Sequence, residues 1–290
     1  MNGENCKMKL KDIHIRDPFI LVHNKKYFMY GSRGMEAFGK CTGLDVYISD
    51  DLAEWSSPVV VFNKPESFWA DMHFWAPEVH KYHDKFYMFV SFKSASQCRG
   101  TQILVSDDPS GPFYIHSEEP VTPRDWECLD GTLYIEKDGT PYMVFCHEWL
   151  QVKNGEMCAV ELSFDLKRAV GRPFLLFKAS EPVWAKKGTE EFVTDGPFMY
   201  RLSSGELLMI WSSVSESGYV EAVSYSSNGS INGKWIHKKE LLFDKDGGHG
   251  MIFSSKDGET MFVAHSPNNS PDERPFIKSI YEKDGVLYAV

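Results

Sequence analysis

The sequence predicts an all-β chain wound into a five-bladed β-propeller, and three observations carry that expectation. Five apolar, aromatic-rich runs recur at spacings of 59, 55, 66 and 53 residues, measured from Tyr27, Phe86, Pro141, Leu207 and Thr260. Each run lies between two further strand-like segments, so the unit that repeats is a triplet. Helical periodicity is scarce, whereas short apolar stretches bounded by turn residues are frequent. A β-sandwich with long loops would be as rich in strands, but it would not repeat in regular triplets.

Taken in order, the first members of the triplets read DPFILVHN, APEVHKYH, DGTLYIEK, DGPFMYRL and HGMIFSSK. The recurring second members are KKYFMYGS, DKFYMFVSF, GTPYMVFCHE, GELLMIWSS and GETMFVAHS. Between first and second members the chain is rich in Asn, Asp, Gly, Lys and Ser, the chemistry of tight hairpin turns. Third members follow as LDVYISDD, TQILVSDD, CAVELSFD, YVEAVSYS and PFIKSIYE. Shorter polar segments fill each period and would complete four-stranded blades.

With 290 residues, 42% of them hydrophobic, the chain can build a large core. No Pro- or Ser-rich linker and no shift of composition divides it, so residues 1–290 read as one propeller domain. A formal net charge of -10 without any Lys/Arg block argues against a nucleic-acid partner, which needs a basic face. No apolar stretch approaches 18 residues, so no membrane-spanning helix is expected. The opening MNGENCKMKLKDIHIRDPF has no apolar h-region, so no signal peptide is expected there; neither compartment nor oligomeric state is assigned. The six cysteines, at 6, 41, 98, 128, 146 and 158, form no C-x-x-C pair, and Cys146 and Cys158 read as small core hydrophobes. A P-loop, a Rossmann fingerprint and serine-nucleophile motifs are all missing.

In a propeller the first strand of each blade lies nearest the axis and all run the same way, so their starts gather at one mouth. Those starts are Arg16-Asp17-Pro18, Trp75-Ala76-Pro77-Glu78, Asp130-Gly131, Asp195-Gly196-Pro197 and Gly248-His249-Gly250. Asp17, Asp130 and Asp195 are expected to stand there in register, whereas Asp138-Gly139, Asp257-Gly258 and Asp284-Gly285 read as hairpin turns. Cleaving an acetal needs a proton for the leaving oxygen and a nucleophile at the anomeric carbon, which a protonated and an ionised carboxyl supply together. Crowding carboxyls at a partly dehydrated mouth pushes their pKa values apart, and a third can orient the acid.

Aromatic residues near these starts add a sugar signature. Trp75 is the expected stacking platform, with Phe74 beside it and His73 placed either to bind a sugar hydroxyl or to be satisfied within its loop. Trp69, Trp126, Trp149 and Trp184 read equally well as sugar contacts or as core. His147 and Glu148 either line the cleft or close an exposed strand end. Loops around 33–43, 93–100, 149–156 and 181–191 would set cleft depth.

The stretches IRDPFI, FWAPEV, LDGTLY, TDGPFMY and GGHGMIF, followed by HSPNNSPDERP, resemble glycoside hydrolase family 43, which includes arabinofuranosidases, xylosidases and arabinanases. The resemblance runs in blade order over nearly the whole chain. It implies an inverting hydrolase releasing arabinose or xylose from plant-type oligo- or polysaccharides. Asp17 would be the base that activates water, Asp130 the carboxyl that tunes the acid, and Asp195 the acid. It further implies that Arg274 reaches the active centre and that His249 helps hold a structural calcium ion in the channel through water, with no cofactor required for the chemistry. The family's acid is usually Glu before Gly-Pro; Asp195 is one methylene shorter, which sets the proton back by about 1.5 Å. Three readings follow from that departure: a cleft remodelled for Asp, an acid from elsewhere such as Glu190 or Glu191, or a propeller that binds carbohydrate and cleaves it poorly. A related hydrolase acting on another linkage, in galactan or a fructan, is the further alternative.

Overall fold

The second segment of every triplet is the most continuously apolar, and in a blade the middle strands are covered on both faces by neighbouring blades. A computed structural model, which describes residues 7–283 and 286–290, realises that arrangement. Cys6 and the Asp284-Gly285 turn lie outside the described residues. Five antiparallel sheets follow one another along the chain. Their first strands are Ile15–His23, Met72–Tyr82, Cys128–Ile135, Asp195–Arg201 and Gly248–Ser254. The second strands, Lys26–Arg33, Lys85–Ser94, Pro141–His147, Leu207–Ser215 and Thr260–Ser266, are buried along most of their length. Four blades are simple four-stranded meanders, and the first carries an additional edge in which Met8–Lys9 pairs with Glu54–Trp55.

The first strands touch their neighbours in a closed ring, blade 1 to 2, 2 to 3, 3 to 4, 4 to 5 and 5 back to 1. Each blade is cut from one contiguous stretch of chain, and among the described residues no strand is shared between the last blade and the first. Side chains make that closure instead. Arg16 pairs with Glu273 at 2.5 Å and donates to Asn268 Oδ1 at 2.8 Å. Arg274 Nε donates to the Lys11 carbonyl at 3.0 Å, and the Lys256 amide donates to Tyr27 Oη at 3.1 Å. Between blades the space is filled by apolar clusters: Phe62, Phe74 and Phe92 belong to one that also buries Trp55, and Trp211 is fully buried in another.

One irregularity recurs in all five first strands and positions everything that follows. Pairing with the second strand shifts between Arg16 and Phe19, Trp75 and Glu78, Leu129 and Thr132, Asp195 and Phe198, and Gly248 and Met251. Such a bulge bends the strand and re-aims a side chain. Within each bulge one residue is left-handed: Asp17 (φ 54), Ala76 (φ 47), Asp130 (φ 57), Gly196 (φ 48) and His249 (φ 49). L-residues in that region cost about 1 kcal/mol or more and persist only where the surroundings hold them.

Candidate active site

A ring of hydrogen bonds between blades holds those five residues. The Ala76 amide donates to Ser32 Oγ (2.8 Å), the Asp130 amide to Ser91 Oγ (2.9 Å), and the His249 amide to Ser212 Oγ (2.6 Å). The Asp17 amide closes the ring by donating to His265 Nδ1 at 3.2 Å. Each acceptor sits at the same place in the second strand of the preceding blade. In the third blade that place holds Cys146, and the Gly196 amide instead donates to Asp130 Oδ2 at 3.0 Å. Gly196 is needed for space as well as for its φ, since a Cβ there would lie 2.6 Å from Cδ2 of His249.

Asp17, Asp130 and His249 occupy equivalent left-handed positions, and their side chains converge. His249 Nδ1 lies 3.2 Å from Asp17 Oδ1 and 3.8 Å from Asp130 Oδ2. Asp195 does not share their register, contrary to the sequence-based expectation. It precedes the left-handed Gly196 by one residue and so corresponds to Arg16, Trp75, Leu129 and Gly248 in the other blades. The motifs Asp-Gly-Pro and Arg-Asp-Pro look alike in sequence, but only the bulge shows which residue turns left-handed. Asp195 is also the most solvent-accessible of the three; Asp17 and Asp130 are 9% and 3% exposed. Tyr219 Oη donates to Asp195 Oδ2 at 3.0 Å.

The three carboxyls divide by protonation. Burial alone would raise Asp17, but His249, Arg16, His265 and the Ser32 hydroxyl (2.6 Å) hold it below the ordinary carboxylate range. His265, driven by burial down to about 4, is neutral near pH 7, so Arg16 supplies a permanent positive charge beside Asp17. Burial, then the charge of Asp17, pushes Asp130 well above its usual value, with the Gly196 amide pulling back. Asp195 is raised to about 7 by burial and by Asp130, partly offset by His249 and the Tyr219 hydroxyl. Further along the same first strands, Phe19 meets His80 at 5.1 Å and Phe198 at 6.2 Å between ring centroids.

Around the mouth, Trp75 is half-buried, with His73 stacked on it at 4.4 Å and the Arg99 guanidinium 4.2 Å from its ring centroid. Arg99 is itself buried, paired with Glu148, and hydrogen-bonded to His73 Nδ1 at 3.1 Å. Burial first, then Arg99, lowers His73 to about 4, so its neutral ring can accept that bond. Glu148 and His147 are therefore buried contacts and not an exposed strand end; His147 stacks on Trp126 at 4.1 Å. Trp184 packs on Trp211 and donates to the Lys238 carbonyl, which makes it core.

Two expected substrate contacts are placed elsewhere. Phe74 is 2% exposed and packs edge-on against Phe92 at 4.7 Å, because the alternation of the strand turns it away from the mouth when Trp75 faces it. Arg274 spends its guanidinium on the backbone carbonyls of Lys11, Pro271 and Glu273, and the arginine beside Asp17 is Arg16. Several residues were missed. Phe38, 61% exposed in the loop after the first blade's second strand, stands edge-on to Trp75 at 5.8 Å with Arg16 over its ring at 5.5 Å. Ser32, Ser91, Ser212 and His265 could have been found by aligning the ends of the apolar runs YGS, FVS, VFC, IWS and VAH. Tyr219 and Arg99 come from third strands, where no repeated polar signal marks them. A groove of about 990 Å³ lies between the second and third blades, is lined by residues such as His116, Arg124 and Arg172, and includes none of the five left-handed residues.

His249 Nε2 is buried without a partner, which suits a water molecule on a hard cation in the channel. Among the described residues no three His, Cys, Asp or Glu side chains gather into a metal cage, so calcium there would keep water for most of its ligands.

An ionised carboxyl, a protonated one and flanking aromatic rings at the mouth of a propeller define a protein of the carbohydrate-cleaving class. The family model for Glycosyl hydrolases family 43 matches residues 11–287, and the chain belongs to that family. A solved endo-arabinase from Bacteroides thetaiotaomicron is 40% identical, with a TM-score of 0.88 over 96% of this chain and 98% of that one. A thermostable family-43 glycoside hydrolase superposes with a TM-score of 0.84 at 25% identity, over 95% and 92% of the two chains. Among curated proteins, the extracellular endo-α-(1→5)-L-arabinanase 1 of Bacillus subtilis is 23% identical over 149 residues, 48% of this chain and 45% of that enzyme. The matched segments thus span about half the length of the curated relatives. Family and five-bladed fold are those expected from the sequence.

Proposed function

We propose that the protein is an inverting hydrolase of α-L-arabinofuranosyl linkages in arabinan-type glycans. One observation supports the chemistry above the rest: Asp17 is held ionised while Asp195, at the same mouth, keeps a proton up to about pH 7. The substrate class rests on the relation to the Bacteroides enzyme named an endo-arabinase, which extends over nearly the whole chain.

In this reading Asp17 takes a proton from water as that water attacks the anomeric carbon. Asp195 gives its proton to the departing glycosidic oxygen from the opposite side, and the anomeric configuration inverts. Tyr219 fixes Oδ2 of Asp195 and leaves Oδ1 to face the leaving group. Asp130, bonded to the Gly196 amide, holds the backbone beside the acid and keeps the acid's pKa high. Trp75 and Phe38 offer ring faces and edges to the sugar, and His73 with Arg99 fixes the indole. A calcium ion held through water at His249 would add positive charge beside Asp17; the acid and base steps need only protein groups and water.

A second reading, a propeller that binds glycan and cleaves it poorly, is favoured by the missing methylene at Asp195, since a misplacement near 1 Å can cost about a hundredfold in rate. The test is incubation with linear arabinan, arabino-oligosaccharides, xylo-oligosaccharides, galactan and a fructan, following products by chromatography and the first-formed anomer by NMR. Release of inverted arabinose or arabino-oligosaccharides, lost by at least about a hundredfold in Asp17→Asn, is the expected result. Release from another polymer alone moves the substrate assignment to that polymer. Glycan affinity without turnover in the wild type supports the binding reading.

A further inference from the structure

The third strand of the fourth blade, Gly218–Ser226, contains a carboxyl that the proposed mechanism does not use. Glu221 is fully buried (0% exposed). Its Oε2 accepts from Ser212 Oγ at 2.7 Å and from the Gly250 amide at 3.0 Å. Ser212 Oγ in turn accepts from the His249 amide at 2.6 Å. One oxygen of Glu221 thus holds the Gly250 amide directly and the His249 amide through the Ser212 hydroxyl. The corresponding positions in three other blades, opposite Ser91, Cys146 and His265, are Thr101, Met157 and Pro275. The carboxyl is therefore not a requirement of the blade.

We infer that Glu221 is a positioning residue that locks the His249–Gly250 backbone in its left-handed turn and so aims the imidazole between Asp17 and Asp130. The inference deepens the proposed hydrolase and rests on that reading for its kinetic arm. The geometry supports it from both directions. His249 pays a conformational cost at φ 49, and without Glu221 the Gly250 amide would be buried and unpaired. Two residues earlier on the same face of the same strand, Tyr219 holds Asp195. One strand therefore sets the acid with one side chain and the histidine between base and modulator with another. Glu221 Oε1 has no partner, and both hydrogen bonds fall on Oε2. Glutamine has the same shape and keeps one acceptor oxygen for those two bonds, so it is the conservative replacement.

The experiment compares wild type, Glu221→Gln and Glu221→Leu, each checked for folding by near-ultraviolet circular dichroism. Two readouts are taken: kcat and KM on the best substrate, and the imidazole signals of His249 in histidine-labelled protein, assigned with His249→Gln. The leucine variant is expected to lose kcat about tenfold or more with KM changed less than twofold, and to shift the His249 signals. Glutamine is expected to restore both to near wild type. A folded leucine variant with unchanged His249 signals and unchanged kcat overturns the inference, as does a glutamine variant as impaired as leucine. If the wild type cleaves no glycan, the hydrolase reading fails, and the His249 signals alone decide the positioning role.

Discussion

At the scale of single residues, the molecule separates three aspartates that share one mouth by what surrounds each. Tyr219, Asp130, His249 and Asp17 all face Asp195, and together with burial they leave its carboxyl titrating at about 7. Asp17 titrates below the usual range. Catalysis that needs Asp195 protonated and Asp17 ionised is then expected to hold level through mildly acidic pH and to fall about tenfold per unit above pH 7. In kcat/KM profiles on a substrate with a poor leaving group, Asp195→Asn should abolish that alkaline limb along with most of the rate. A wild-type profile flat to pH 9 removes Asp195 from the acid's role. The same shift has a consequence for stability. Folded Asp195 holds a proton that the unfolded chain releases near 3.8, so the native state binds more protons between about 4 and 7, and this group's contribution to stability falls as pH rises through that window.

At the scale of elements, the bulge in each first strand is the device that makes the site, and the second strand of the preceding blade stabilises it. A left-handed aspartate or histidine is tolerable there because its amide is paired across the blade boundary with Ser91, Ser212 or His265. Ser91→Ala removes the partner of the buried Asp130 amide. It should cost about 1–3 kcal/mol, read as a shift of the denaturant midpoint, and lower kcat by loosening Asp130 without a matching rise in KM. An unchanged midpoint means that water or another acceptor reaches the amide and that the ring is not a constraint. The sequence offered this device only in part. Repeated apolar runs marked the second strands, yet the small polar residue that ends most of them reads as ordinary strand-end chemistry until the blades are set side by side.

At the scale of the whole molecule, no strand among the described residues is shared between the last blade and the first, and side chains hold the two together. Arg274 belongs to that seam. Arg274→Ala should lower the melting temperature by about 2–4 °C, as expected for a loss near 1 kcal/mol in a chain of this size, and leave kcat within about twofold. A large loss of kcat at unchanged stability would falsify the seam assignment and return Arg274 to the active centre. The closure also fixes the site, because Arg16, at the start of the first blade, meets Glu273 and Asn268 of the last while charging Asp17.

What the sequence determined by itself was the number of blades, their order and the gathering of Asp17, Asp130 and Asp195 at one mouth. Strand periodicity and turn chemistry are local, and a repeat register converts them into position. What only the tertiary structure decided was which residue of each Arg-Asp-Pro or Asp-Gly-Pro start turns left-handed. It also decided which arginine stands beside Asp17, and that Phe74 packs into the core while Phe38 meets Trp75, Tyr219 meets Asp195 and Glu221 meets the Gly250 amide. Those outcomes depend on contacts between blades far apart in sequence. A one-residue bulge or the direction of one guanidinium leaves no trace in the spacing of apolar residues.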